Sequence, residues 1–359
     1  MFSPTETGTF SQVDLGAPVS RLFTPSSGAF FAQTNQALMR SDDAGATWVP
    51  VSLPGSSHIL AIDPTNHQVL YAAGPDGVYV SRDDATSWNR VLAYGPAVGF
   101  DARALVVSPA DPNVLYLGIA GSGEPSKDFW FLRSRDGGAT WESLEEHHNS
   151  MCGWVVDILQ AHPSDPNTVF RCAGCRAGRN IDDTIMRSTD QGTTWTPWPG
   201  VSSPNPDPGA FGFPARFSGG QGAAPDVFYL GINRDARVGG SLLVRTGDAG
   251  ATSNVVLDFR GGGSPGYNLP DSDPNAASTQ IGGLAYDPAQ PDRVFVGLAI
   301  RPAFGSPPAD GSVMASLDGG ASWATVGGQT IGAVNDLALG VDAQNLYAAT
   351  DAGVWRLAL

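Results

Sequence analysis

Ser41-Asp42-Asp43-Ala44-Gly45-Ala46-Thr47-Trp48 is one of six copies of a single phrase; the others run Ser81 to Trp88, Ser134 to Trp141, Ser188 to Trp195, Thr246 to Ser253 and Ser316 to Trp323. The shared skeleton is Ser-x-Asp-x-Gly-x-Thr/Ser-Trp, with Ala85 replacing the glycine in the second copy and Ser253 the tryptophan in the fifth. Recurrence along a chain marks one supersecondary unit that buries its apolar face only by stacking on its neighbours. A reversal over so few residues needs a backbone position at φ > 0, which Gly45, Gly138, Gly192, Gly250 and Gly320 supply without a Cβ clash. The aspartate two residues earlier is placed to accept hydrogen bonds from turn N–H groups, and the Ser and Thr hydroxyls do the same more weakly. The tryptophan opens the next strand and buries a ring beside the turn.

The phrase resembles the Asp-box, or BNR repeat, of sialidases, xyloglucan-degrading propeller glycosidases, the sortilin ectodomain and photosystem II assembly factors. The resemblance covers nearly the whole chain and implies a β-propeller. In those families the box is a turn staple remote from the reactive face. It therefore implies structural rather than chemical roles for Asp43, Asp83, Asp136, Asp190, Asp248 and Asp318.

Composition agrees with an all-β repeat protein. The 359 residues include 45 Gly and 28 Pro with only 15% charged residues, the signature of many short strands joined by tight turns. No amphipathic helix is evident. A net charge of −15, with the 20 Lys and Arg scattered, argues against a nucleic-acid partner and serves solubility. No apolar run is long enough to cross a bilayer, and Met1-Phe2-Ser3-Pro4 lacks a signal peptide's basic and apolar regions. Low Lys, abundant Asn, Asp and Thr, and the family resemblance nonetheless point to export, secreted or periplasmic, as a mature form. No cofactor is expected, and a monomer is.

Each box lies in a fuller unit of four antiparallel strands. From Ile59 to Val91 these are an apolar strand ending at Asp63-Pro64, then Val69 to Ala73, then Val78 to Ser81, then Trp88 onward. A last unit, with strands at Asn335 to Leu339, Leu346 to Ala349 and Val354 to Leu357, lacks its fourth strand. The segment Thr9 to Leu15 resembles such a fourth strand and belongs to no other unit. Pairing the two ends removes an exposed sheet edge. The expectation is one domain over 1–359, a single seven-bladed β-propeller. Its blades are 18–54, 55–95, 101–146, 152–199, 209–260, 278–328, and 331–359 joined by 8–15.

In such a fold the turn between strands one and two shares a face with the box turn. The longer connections, Gly121 to Asp128, Ala173 to Asp183, Asn233 to Gly239, Ile300 to Gly311, Ala93 to Ala102, Glu145 to Gly153, Pro199 to Phe213 and Arg260 to Gln280, then share the other face, where binding loops are expected. Aligning first strands on their terminal proline places Val19, His58, Arg103, Asp157, Gly282 and Asp336 at one equivalent position near the mouth of a central channel, with Arg216 close by. Convergent charges of both signs suit a polar ligand or acid and base chemistry. The structural alternative is that Asp157 and Asp336 hydrogen-bond the neighbouring blade.

Asp157, Asp336 and His58 are the catalytic candidates, and Asp157 with Asp336 is the carboxylate pair a glycosidase would use. Arg103, Trp154, Tyr94, His147, His148, Arg176, Arg216, Arg234, Tyr267 and Arg301 are the ligand-binding candidates, beside Asp101, Arg179, Asp182, Asp183, Arg237, Arg260 and Asp271. Rings that stack on sugar faces, next to groups that read hydroxyls, fit a carbohydrate site. The sialidase motif Phe/Tyr-Arg-Ile-Pro is missing, and Arg21-Leu22-Phe23 is no substitute. Xyloglucan-degrading enzymes hold their cleft between two propellers, and this chain affords one. Cys152, Cys172 and Cys175 all fall in blade 4, where a Cys152–Cys175 disulfide, free thiols or a metal site with His147 or His148 are open alternatives. The leading expectation is an exported propeller that binds a carbohydrate or other polar small molecule, with glycoside hydrolase or lyase activity as its catalytic form. The alternative is a non-catalytic scaffold or assembly factor that holds a protein or peptide.

Overall fold

The structure is a computed structural model describing residues 8–13, 15, 17–24, 29–34, 37–94, 100–121, 129–147, 154–175, 184–197, 212–219, 224–234, 241–250, 252–259, 278–301, 310–340 and 343–359. For 147, 154–158, 172–175, 184–185, 212–217, 234, 278 and 301 it describes the backbone alone. Among the described residues there are strands and turns and no helix. Seven four-stranded antiparallel sheets give the seven-bladed β-propeller class.

By contacts the chain divides into two compact units, one of 1–24, 29–50 and 210–359, the other of 25–28 and 51–209. The second unit holds three blades. Blade 2 is Ile59–Ile62, Leu70–Gly74, Gly77–Ser81 and Asn89–Ala93; blade 3 is Phe100–Val107, Leu115–Gly121, Phe129–Ser134 and Glu142–His147; blade 4 is Trp154–Ala161, Val169–Cys175, Thr184–Ser188 and Thr196–Pro197. The first unit holds blade 1 (Val19–Phe23, Phe30–Thr34, Leu38–Ser41, with Val49–Val51 reaching the division), blade 5 (Gly212–Gly219, Phe228–Arg234, Leu242–Thr246, Asn254–Asp258) and blade 6 (Ser278–Tyr286, Val294–Arg301, Val313–Ser316, Ala324–Val326). Blade 7 is Val334–Leu339, Asn345–Thr350 and Gly353–Ala358, completed by Ser11–Val13 from the start of the chain. Ser11, Gln12 and Val13 pair with Arg356, Trp355 and Val354, as the sequence pattern predicts.

Burial follows strand order within a blade. Second strands such as Leu70–Gly74 are buried along their whole length, whereas fourth strands such as Val49–Val51 and Asn89–Ala93 are largely exposed edges. Within each unit the core lies between consecutive blades. One cluster joins Tyr71, Val78 and Val80 of blade 2 to Ala102, Leu105 and Leu117 of blade 3; another joins Val296 and Leu298 of blade 6 to Tyr229 and Leu243 of blade 5. Phe10 is buried in the cluster of blades 6 and 7 and so anchors the terminal strand. Each fully buried large apolar side chain of this kind contributes about 1.5–3 kcal/mol.

The six boxes share one hydrogen-bond scheme. In blade 1 the Asp43 carboxylate accepts the Ser41 hydroxyl (2.7 Å), the Thr47 N–H (2.7 Å) and the Thr47 hydroxyl (2.6 Å), while Ser41 Oγ accepts the Gly45 N–H (2.8 Å). The blade 5 box, with Thr246 for serine and Ser253 for tryptophan, keeps all four bonds. The turn differs from expectation in needing two successive residues at positive φ rather than one: Ala44 and Gly45 (55° and 85°), Asp84 and Ala85 (57° and 64°), Gln191 and Gly192 (58° and 82°). The same turn leans on the first hairpin of its own blade, as Asp84 N–H donates to Gln68 O and Gly137 N–H to Asn113 O.

Bonds between blades add to the apolar packing. Tyr71 O–H donates to Gly137 O of the next blade (3.1 Å), and Tyr347 O–H to Ala44 O (3.0 Å). Trp323 donates its indole N–H to Val256 O of the preceding blade (2.9 Å). Arg171, 7% exposed, grips Glu145 with two bonds (2.9 and 2.7 Å) and lies 4.0 Å over the Trp195 ring.

Two outcomes test this account. Ala85 holds a left-handed conformation that strains a Cβ-bearing residue by about 1–2 kcal/mol, against about 0.4–1 kcal/mol of chain entropy that glycine adds to the unfolded state. Ala85→Gly should therefore raise stability by about 0.5–1 kcal/mol in denaturant unfolding. The Thr47 hydroxyl and N–H, with Ser41, hold Asp43 at about 2, and the Thr194 N–H and hydroxyl, with Ser188, do the same for Asp190. These folded-state values lie below the unfolded one of 3.8, so the stabilisation is complete above about pH 4 and is lost as pH falls through about 2. The thermal midpoint should fall between pH 4 and 2, and the double variant Asp43→Asn, Asp190→Asn should flatten that slope; an unchanged slope would assign acid lability elsewhere.

Candidate functional site

First strands carry a one-residue bulge that falls at Ser20, Arg103, Asp157, Ala215, Gly282 and Asn335 in blades 1, 3, 4, 5, 6 and 7. In blade 2 the same position is His58, whose N–H donates to Ala73 O just before the strand begins. The proline alignment therefore holds for His58, Arg103, Asp157 and Gly282 and shifts by one elsewhere. Ser20 replaces Val19 because Pro25 comes one residue early relative to strand pairing, and Asn335 replaces Asp336 because blade 7 has no such proline. Arg216 is paired with Gly231, one residue beyond the bulge at Ala215. At Gly282 a Cβ would lie 1.7 Å from Val334 O, so close approach of neighbouring first strands dictates glycine there.

Asp336 is engaged by the backbone. Its Oδ2 accepts the Leu22 N–H of blade 1 and its Oδ1 accepts the Leu337 N–H, both at 3.0 Å. Asn335 donates to Val19 O (3.0 Å) and to Asp351 Oδ1 (2.8 Å). Asn233 clamps blade 6 in the same manner, donating to Ile281 O (3.0 Å) and accepting the Ile281 N–H (2.8 Å).

In the second unit the structure brings three candidates together. His58 Nε2 lies 3.3 Å from Asp101 Oδ1, and the two side chains are 46% and 25% exposed. The other ring nitrogen lies 3.4 Å from Ser56 O, so acceptors flank the imidazole on both sides. Tyr94 borders the same blade 2 and 3 interface; burial, and then the nearby Asp101 carboxylate, push its hydroxyl well above the usual range and keep it protonated. Arg103, two residues beyond Asp101, is exposed. The sequence reading missed Ser57, whose buried Oγ adjoins His58, and the aromatic pair of Phe100 and Trp130, edge to face with centroids 4.5 Å apart. A signal for the pair was present in the apolar start of one blade 3 strand and in Phe-Trp-Phe of another.

Other candidates are placed by backbone only. Trp154 pairs with Cys175, Asp157 is the blade 4 bulge, His147 pairs with Phe129, Arg234 with Gly212 and Arg301 with Ser278. His148, Arg176, Arg179, Asp182, Asp183, Arg237, Arg260, Tyr267, Asp271 and Cys152 lie outside the described residues, as does half or more of every long connection. Among the described residues no three His, Cys, Asp or Glu side chains group as a metal site.

The family model described as Sortilin-Vps10 (Sortilin, neurotensin receptor 3) matches residues 36–171. A xyloglucanase of a Paenibacillus species is 29% identical over 276 residues, covering 68% of this chain and 25% of that protein. The chain thus spans about a quarter of the length of the curated relatives it matches. The crystal structure of the GH74 xyloglucanase from Xanthomonas campestris superposes with TM-score 0.66 at 18% identity over 97% of this chain and 53% of that one. YCF48 from Cyanidioschyzon merolae superposes with TM-score 0.60 at 15% identity over 98% and 99% of the two chains. The chain is similar to these proteins in fold.

Removing the Asp336 carboxylate leaves the buried Leu22 N–H without its acceptor, so Asp336→Ala should lower stability by about 1–3 kcal/mol. Asp336→Asn, which keeps an acceptor oxygen, should lose less in the same denaturant titration.

Proposed function

We propose that this chain is an exported propeller that binds a carbohydrate or a comparable polar ligand at the blade ends where the long connections begin. The observation that carries the reading is the His58–Asp101 pair, delivered from consecutive blades to a separation of 3.3 Å and left partly exposed. The box aspartates, by contrast, are consumed by their own turns. Similarity to xyloglucanases supports a sugar as the ligand and export as the setting. No helix among the described residues is long and apolar enough to cross a membrane. A glycoside hydrolase needs a second working carboxylate. Asp157, at the blade 4 bulge, is the remaining candidate, since both oxygens of Asp336 accept backbone N–H groups.

One observation favours a second reading, a non-catalytic protein-binding scaffold: the likeness to YCF48 covers both chains almost end to end. A glycan array with wild-type protein, and a panel of chromogenic glycosides assayed with wild type and Asp157→Asn, separates the two. Binding of xyloglucan fragments or related neutral glycans is expected, and any turnover should vanish in Asp157→Asn. Neither binding nor turnover across both panels would leave the scaffold.

A further inference from the structure

Three polar atoms of blades 2 and 3 are buried and make no hydrogen bond among the described residues: Ser57 Oγ, Tyr94 Oη and Asp101 Oδ1. Asp101 Oδ1 is within 3.3 Å of His58 Nε2 without the alignment of a hydrogen bond. In the same blades Ser108 Oγ and Tyr116 Oη are buried without a partner as well, whereas Ser81 and Asp83 are satisfied in their box. Buried polar groups without a partner are costly, so Tyr94 and Asp101 at one interface, with Ser57 next to His58 in the chain, call for a partner from outside it.

We propose that Ser57, Tyr94 and Asp101 form a subsite for adjacent hydroxyl groups of a neutral sugar, with Phe100 and Trp130 as the ring platform beside it. The assignment rests on the carbohydrate reading above and narrows it. Asp101 supplies an acceptor, Tyr94 a donor, and Ser57 either, which is the complement of a hydroxyl group that both donates and accepts. A ligand carboxylate would meet Asp101 as a like charge, and a simple cation would leave the Tyr94 donor unmatched. Phe100 adjoins Asp101 in the chain and borders the same apolar cluster as Tyr94; with Trp130 it presents partly exposed rings suited to the apolar face of a pyranose.

Isothermal titration calorimetry with xyloglucan oligosaccharides, cellotetraose and an oligogalacturonate tests the subsite in wild type, Asp101→Asn and Tyr94→Phe. The neutral sugars should bind and the uronate should not, and each variant should weaken binding about tenfold or more, the loss of one strong hydrogen bond. Tyr94→Phe removes an unmatched hydroxyl, so its thermal midpoint should equal or exceed that of wild type, which separates lost binding from lost folding. If wild type binds neutral sugars and both variants match it, the subsite is overturned while the carbohydrate reading stands. Equal binding of the uronate overturns the neutral-ligand assignment. A wild type that binds none of the three, and no member of the glycan array, ends both.

Discussion

The structure depends on a short hydrogen-bond circuit that holds a turn in a conformation side chains resist. Two consecutive residues at positive φ reverse the chain, and one of them carries a side chain in four of the six boxes, at Ala44, Asp84, Gln191 and Ala249; in blade 2 both do. The carboxylate just before that pair in the chain compensates by collecting two hydroxyls and an N–H, and the leading Ser or Thr hydroxyl collects another N–H. Because both carboxylate oxygens are engaged within the turn, these aspartates are committed to holding it. Conserving charge in a turn and doing chemistry with it are competing uses of one group.

The box also reaches outward. Its backbone carbonyls receive the tyrosine hydroxyls of the preceding blade at Gly137 and Ala44, and its tryptophan reaches back to the blade before. Sheet faces are joined by apolar side chains at the same interfaces, so local turn geometry and blade packing are mutually dependent. First strands use a different device. There, Asn335 and Asp336, and Asn233 from the second strand of blade 5, imitate a missing strand partner for the neighbouring first-strand backbone. That explains why an ionisable residue at this position need not belong to an active site.

The repeat made the fold legible, since six phrases with constant internal chemistry leave few architectures open, and the orphan strand near Phe10 declared where the last sheet is completed. The site was legible only in part. Counting from a proline works where the proline keeps its place relative to strand pairing, as for Arg103 and Asp157, and fails at Val19 and Asp336, where a bulge must be counted instead. His58, Tyr94 and Asp101 were each visible as residue types, but their meeting depends on which blade lies against which, a property of packing that spacing along the chain does not encode. Tyrosine hydroxyls that staple blades were overlooked because Leu-Tyr-Ala reads as an ordinary buried strand.

Completion of blade 7 by Ser11–Val13 has a kinetic consequence. The Ser11 hydroxyl donates to Arg356 O across 345 positions of sequence, so this contact is among the most non-local in the molecule. During synthesis Ser11–Val13 leaves the ribosome hundreds of residues ahead of Gly353–Ala358 and has nowhere to dock until that strand emerges. Its anchor, Phe10, spends that interval as exposed apolar surface. Long-range closure of this sort slows folding relative to the locally paired hairpins. Docking of Ser11–Val13 therefore waits on Gly353–Ala358, and until the two meet blade 7 carries an unpaired strand edge.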